Sequence, residues 1–217
     1  MRRSVAVIIC AFAIVAARDT ALAQSPHLGF KLGPTVSRLD FSNNNEGNSW
    51  LASFAGSGFM RFDFAGFSLQ PEIMLVTKGS KLDDTFSDAE IRIQYIEFPI
   101  GLVFPLGQDR FAPYIMIGPA FSFESQCVVE TDLFEERGFN CDEDVDRNLE
   151  RKEYDFGLFG SAGMNIGWGP GRIVLEARYT YGLVNLRQAG TLETEDVSVK
   201  NRSFAFFGGY SIGIGKR

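Results

Sequence analysis

A period-two alternation of large apolar and small or polar residues recurs eight times between His27 and Ile214. Such alternation is the signature of strands with one apolar face, and it leaves little freedom for anything but a sheet. In the first segment Leu28, Phe30, Leu32, Pro34 and Val36 share one face, against Gly29, Lys31, Gly33, Thr35 and Ser37. The second sets Trp50, Ala52, Phe54, Met60, Phe62 and Phe64 against Ser53, Ser57, Arg61 and Asp63. The third sets Phe67, Leu69, Pro71, Ile73 and Leu75 against Ser68, Gln70, Glu72, Met74 and Lys78.

The fourth segment changes phase. Ile91, Ile93 and Tyr95 are apolar at odd positions, whereas Ile96 to Phe104 are apolar at even ones, so a bulge is expected near Tyr95–Glu97. Regular alternation returns in Phe111–Phe123, Tyr154–Trp168, Ile173–Leu183 and Phe204–Ile214.

Connection lengths also alternate. Short ones fall at Asp63–Gly66, Pro105–Arg110 and Gly169–Gly171. Long ones fall at Asp40–Ser49, Gly79–Glu90, Glu124–Glu153 and Asn185–Lys200. Strands of about 9–11 residues cross a bilayer at a tilt, and short inner turns with long outer loops mark outer-membrane barrels. The expected fold is therefore all-β: an eight-stranded antiparallel up-and-down transmembrane β-barrel. A soluble lipocalin-like ligand-binding barrel alternates in the same way with its faces exchanged, and is the competing architecture. The polar row favours the membrane, because it is rich in Gly, Ala and Ser and carries only isolated charges, as a narrow lumen requires. Trp50, Tyr154, Trp168, Tyr181 and Tyr210 stand at strand ends, where interfacial aromatic girdles lie.

Residues 1–23 read as a secretory signal peptide. Arg2 and Arg3 precede an apolar stretch from Val5 to Ala17, and Ala21-Leu22-Ala23 forms a cleavage site before Gln24. Cys10 lies inside the apolar stretch, not after the cut, which disfavours lipid attachment. Residues 24–217 then form the barrel domain. Its two cysteines, Cys127 and Cys141, are expected to join in a disulfide closing one loop, since an exported chain meets an oxidising compartment.

These stretches resemble the PorT-type outer-membrane β-barrel family. The similarity is carried by Gln70-Pro71-Glu72-Ile73 leading to Thr77-Lys78-Gly79, and by Tyr95-Ile96-Glu97-Phe98-Pro99-Ile100. Pro113-Tyr114 followed by Gly118, Tyr181-Gly182-Leu183 with Asn185, and Lys200-Asn201-Arg202 complete it. The resemblance implies a bacterial outer-membrane barrel and, through the family's name-giving member, a tie to protein secretion or envelope assembly.

A net charge of −6 disfavours nucleic-acid partners, which need a basic footprint. Enzymes built on small barrels generally use a histidine base near the outer rim. The only histidine, His27, opens the first strand at the opposite end, so no catalytic residue is assigned. No cofactor or metal site is assigned either. Asp142, Asp144 and Asp146, with Glu153, have calcium-loop spacing, but Arg147 occupies the place of the required glycine. The surrounding segment Glu124–Lys152 carries ten acidic and four basic residues and reads as a solvated loop.

The remaining candidates are lumen charges: Lys31, Arg61, Glu72, Arg92, Glu97, Asp155, Glu176 and Arg178. Eight strands leave an interior that side chains fill, so these are expected to form a salt-bridge plug in place of an ion path. The expected role is structural or surface-interacting and non-catalytic, in a monomer. Its expected partners are outer-membrane lipid, the barrel-insertion machinery and an envelope protein.

Overall fold

In the computed structural model, residues 24–41, 48–84, 87–107, 110–131, 139–140, 153–185 and 198–214 are described. The proposed signal peptide and most of the acidic connection lie outside them. Eight long strands follow in order: β1 Gln24–Phe41, β2 Leu51–Asp63, β3 Ser68–Asp84, β4 Ser87–Pro105, β5 Phe111–Thr131, β6 Tyr154–Trp168, β7 Gly171–Gly182 and β8 Val199–Gly213. Each pairs antiparallel with its neighbour in sequence, and β8 pairs antiparallel with β1, which closes the sheet.

The registers fix the geometry of closure. Stepping across the ladders from Gly29 leads through Phe59, Glu72, Pro99, Ala120, Gly157, Gly182 and Asn201, and returns to β1 at Leu39. That is ten residues beyond the start. Eight strands with this stagger are steeply tilted and enclose a space that side chains fill.

Two short turns depend on glycine. Gly66 and Gly169 have φ of 91° and 59°, in the left-handed region that a side chain disfavours. They complete the β2–β3 and β6–β7 turns. The first turn is also tied by the Phe64 amide donating to the Phe67 carbonyl at 2.8 Å.

The outward face is apolar around the whole barrel. Leu75 is 62 % exposed, Phe206 60 %, Phe54 57 % and Phe30 56 %. A continuous belt of such residues is incompatible with a water-facing wall, so the outside meets hydrocarbon. Trp168 flanks the belt at the short-turn end; Trp50 and Tyr154 flank it at the other. The competing lipocalin-like architecture is thereby overturned, because it requires a polar exterior.

Two expectations about strand limits need correction. The segment Gly79–Glu90 was expected as a long connection, but β3 and β4 continue through it, paired as far as Asp84 opposite Ser87. Its polar sequence hides the alternation because a ladder standing above the membrane needs no apolar row. Lys81 instead pairs with Glu90 across the hairpin at 3.0 Å. The bulge is also displaced. The register shifts between Gln94 and Tyr95, whose partners are Gln126 and Glu124, so the extra residue is Ser125 of β5.

Candidate functional site

The lumen is the site at which charged residues of this chain converge. Among the described residues, eight charged side chains are buried there: Lys31, Arg61, Lys78 and Arg178 against Glu72, Glu97, Asp155 and Glu176. Four cations thus face four carboxylates. Parity places them inside. On β1, β2, β4, β6 and β8 the odd residues of the membrane belt point inward; on β3, β5 and β7 the even ones do.

At the centre, β1, β3 and β7 bring two cations and two carboxylates together. Lys31 Nζ donates to Glu72 Oε1 at 2.9 Å and to Glu176 Oε2 at 2.7 Å. Arg178 Nη2 lies 2.8 Å from Glu72 Oε1, and its Nε donates to Glu176 Oε1 at 2.9 Å. Each cation bridges both carboxylates, so all four groups form one closed set with no net charge.

Neighbouring donors satisfy the remaining carboxylate lone pairs. Ser57 donates to Glu72 Oε2 at 3.1 Å, Gln70 to Glu72 Oε1 at 2.8 Å, and Tyr114 to Glu176 Oε2 at 3.0 Å. Gly163 makes room for that tyrosine: a Cβ there would fall 2.5 Å from the Tyr114 hydroxyl. Arg61 Nε in turn donates to Gln70 Oε1 at 2.8 Å.

A second group sits closer to the outer end. Lys78 and Glu97 form a short ion pair, and Ser122 donates to the same Glu97 oxygen at 2.8 Å. Asn201 donates to Asp155 at 2.9 Å. Aromatic rings line the cations: Arg178 lies 4.2 Å from the Phe159 centroid, Lys31 5.2 Å from Phe207, and Lys78 5.5 Å from Tyr95. Such contacts favour a desolvated cation.

Two apolar clusters pack against the central quartet. Toward the outer end lie Met74, Val76, Ile93, Tyr95, Cys127 and Phe207. Toward the short turns lie Val103, Tyr114, Met116, Ala120 and Phe159. Beneath the second layer, a mouth cavity of about 250 Å³ opens between the turns, lined in part by Arg61, Asp63, Asn165 and Arg172. His27 Nδ1 stands beside it, 3.3 Å from Asp63. A buried charge is expensive unless paired and hydrogen-bonded. The central quartet pairs its charges, whereas Arg61 and Asp155 are held by the neutral amides of Gln70 and Asn201, and Arg61 Nη2, Arg178 Nη1, Glu97 Oε1 and Asp155 Oδ1 have no hydrogen-bond partner among the described residues.

The comparison with the sequence-based candidates is direct. Lys31, Arg61, Glu72, Glu97, Asp155, Glu176 and Arg178 are all buried inside. Arg92 is not: it points outward, 37 % exposed, and pairs with Glu90 at 2.7 Å. The apolar side chains of Ile91, Ile93 and Tyr95 take the inner positions instead, in the outer apolar layer. Lys78 was missing from the candidates although its place on the polar row of the third segment put it on the lumen face. Cys127 is buried on the inner face of β5; Cys141, and the aspartates with calcium-loop spacing, lie outside the described residues.

Comparison with known proteins is consistent with this architecture. A family model described as "Outer membrane protein beta-barrel domain" matches residues 22–188. The chain belongs to the outer membrane protein beta-barrel domain family. This places it in the bacterial outer membrane. Among solved structures, Neisserial surface protein A shares the fold with a TM-score of 0.51 at 10% identity, covering 88% of this chain and 99% of that one. The attachment invasion locus protein Ail of Yersinia pestis has a TM-score of 0.44 at 14% identity, covering 87% and 100%. The outer membrane enzyme PagL has a TM-score of 0.33 at 12% identity, covering 85% and 99%. A search of curated protein sequences finds no significant match.

Proposed function

We propose that this outer-membrane β-barrel is a non-catalytic structural and surface-interaction protein, a monomeric platform that presents its outer connections to an envelope protein. The charge-balanced lumen carries this reading. Lys31, Arg178, Glu72 and Glu176 neutralise one another in a fully buried set packed against two apolar clusters, which supports a rigid plug over a conduit. The only histidine, His27, sits at the short-turn end beside Asp63, away from the outer rim where a surface enzyme meets its lipid substrate.

The outer end supports a role in contact. β3, β4 and β5 extend beyond the apolar belt, and two short strands lengthen that sheet on either side. Asn48–Ser49 pairs with β3, and Phe139–Asn140 pairs with β5. A second reading, a component of a PorT-like secretion or envelope assembly machine, draws on the stretches around Glu72 and Glu97. Both residues serve the plug in this structure, which favours an architectural origin for that resemblance.

Gentle solubilisation of membranes followed by affinity purification tests the proposal. Recovery of an envelope protein that is lost when the outer connections are shortened supports the platform role. Recovery of secretion-machine components, with a secretion defect on deletion of the gene, supports the second reading. Hydrolysis or acyl transfer on outer-leaflet lipid by the purified barrel defeats the non-catalytic assignment.

A further inference from the structure

Arg38 of β1 and Arg202 of β8 are directly opposite one another on adjacent strands. Both point away from the lumen, at the outer end of the barrel. The next outward pair in the same ladder is Asp40 opposite Lys200. Like charges in directly opposed positions repel, and among the described residues Asp40 is the carboxylate that compensates here. It forms a short ion pair with Arg202 and lies 3.8 Å from Arg38. Among the described residues, three cations against one carboxylate leave a local excess of two positive charges at this rim, on a chain whose formal charge is −6.

The position of this excess points to its counter-ion. The patch begins where the apolar belt of β1 and β8 stops, immediately beyond Val36 and Phe204. It is also fused to the aromatic girdle. The Arg38 guanidinium lies 4.9 Å from the Trp50 ring, and that of Arg202 5.0 Å from the Tyr181 ring. Trp50 and Tyr179 both pack against Phe204, at 5.8 Å and 4.6 Å. The rings hold both guanidiniums at the level of the bilayer interface, with each side chain still 31 % exposed.

We propose that this rim patch binds the phosphate of a lipid headgroup in the outer leaflet. A guanidinium matches a phosphate with two parallel hydrogen bonds, and one phosphate between Arg38 and Arg202 turns their repulsion into shared attraction. The apolar wall immediately below supplies the surface for the acyl chains of the same lipid. That continuity favours a membrane lipid over a free anion. The inference rests on the outer-membrane location and is independent of which protein meets the connections above.

The test compares lipid retention by the purified barrel in dodecyl maltoside micelles, which carry no phosphate, supplied with a bis-phosphorylated glycolipid or its dephosphorylated form. Bound lipid is counted by native mass spectrometry. Phosphorylated lipid is expected to be retained at least tenfold better, and R38Q/R202Q is expected to lose about tenfold in retention. Asp40→Asn, which removes the competing carboxylate, is expected to increase retention, an outcome that a damaged fold does not produce. Equal retention of the two glycolipids overturns the proposal, as does an unaffected double variant that keeps its heat-modifiable mobility. Displacement of the lipid by inorganic phosphate, or preferential capture of an acidic peptide, reassigns the patch and overturns it as well.

Discussion

Arg178 and Glu72 are 106 residues apart in sequence, and closure of the barrel brings Arg178 Nη2 to 2.8 Å from Glu72 Oε1 in a fully buried lumen. The contact exists only when β1, β3 and β7 are all in register. Removing either partner strands a charge where water does not reach. Glu72→Leu or Arg178→Leu is therefore expected to destabilise the barrel by about 3–5 kcal/mol. The double variant should cost less than the sum of the two, because Lys31 and Glu176 still neutralise one another at 2.7 Å. Urea unfolding in lipid, followed by tryptophan fluorescence, measures all three; additive losses would show that the pair does not act as a unit.

The same closure governs permeability. Arg61 lines the mouth cavity at the short-turn end, but the central quartet is fully buried beyond it, in an interior that eight strands leave for side chains to fill. Planar bilayers containing the purified protein are expected to show no stable single-channel steps. Loss of charge alone should not open a path either, so Lys31→Met is expected to remain silent. Large, long-lived steps in the parent protein would overturn the plug reading.

Much of this architecture is legible in the sequence, for a physical reason. Hydrocarbon outside and crowding inside impose opposite demands on successive residues, so each membrane-crossing strand shows its period. Parity alone puts Lys31, Glu72, Glu176 and Arg178 on one face. It does not say which touch, because the pairing depends on ladder register summed around eight strands.

The errors lie where the membrane stops imposing the pattern. Above the belt, β3 and β4 continue through a polar stretch that resembles a loop. The odd residues Ile91, Ile93 and Tyr95 keep the inward phase of Glu97 and Pro99, so Arg92, one of the lumen candidates, faces outward. Lys78 was passed over because it stands one residue before the expected turn at Gly79. The bulge at Ser125 lies on the partner strand of the segment whose phase suggested it, and a single-strand pattern carries no information about that choice.

Processing gives a further expectation. The apolar stretch from Val5 to Ala17 is too short to span the bilayer, and Ala21-Leu22-Ala23 supplies the small residues that a signal peptidase requires. β1 begins at Gln24, the residue after the expected cut. Protein isolated from outer membranes should therefore begin at Gln24. Intact-mass measurement decides this, and a retained leader would turn the segment into an anchor.

The last expectation concerns Cys127, buried on the inner face of β5 next to Ile93 at the outer end of the lumen. Beyond it, Val128 pairs with Asn140 and Val129 with Phe139, so the chain returns antiparallel against β5. Cys141 follows Asn140 in sequence, and an exported chain with two cysteines after its leader meets an oxidising compartment. Cys127 and Cys141 are accordingly expected to be oxidised to each other, closing a loop of about 15 residues and limiting the freedom of that connection when unfolded by about 3 kcal/mol. The barrel itself closes through its own ladders, so a Cys127→Ser, Cys141→Ser variant should still insert and keep its heat-modifiable mobility. It should become sensitive to protease between positions 128 and 140, and lose any partner that recognises the shape of this acidic connection. Binding through that connection should also weaken as salt rises, because its ten acidic groups act through a screened field. Mass spectrometry of non-reduced protein is the direct check: two alkylatable thiols in material recovered from the outer membrane would exclude the bridge.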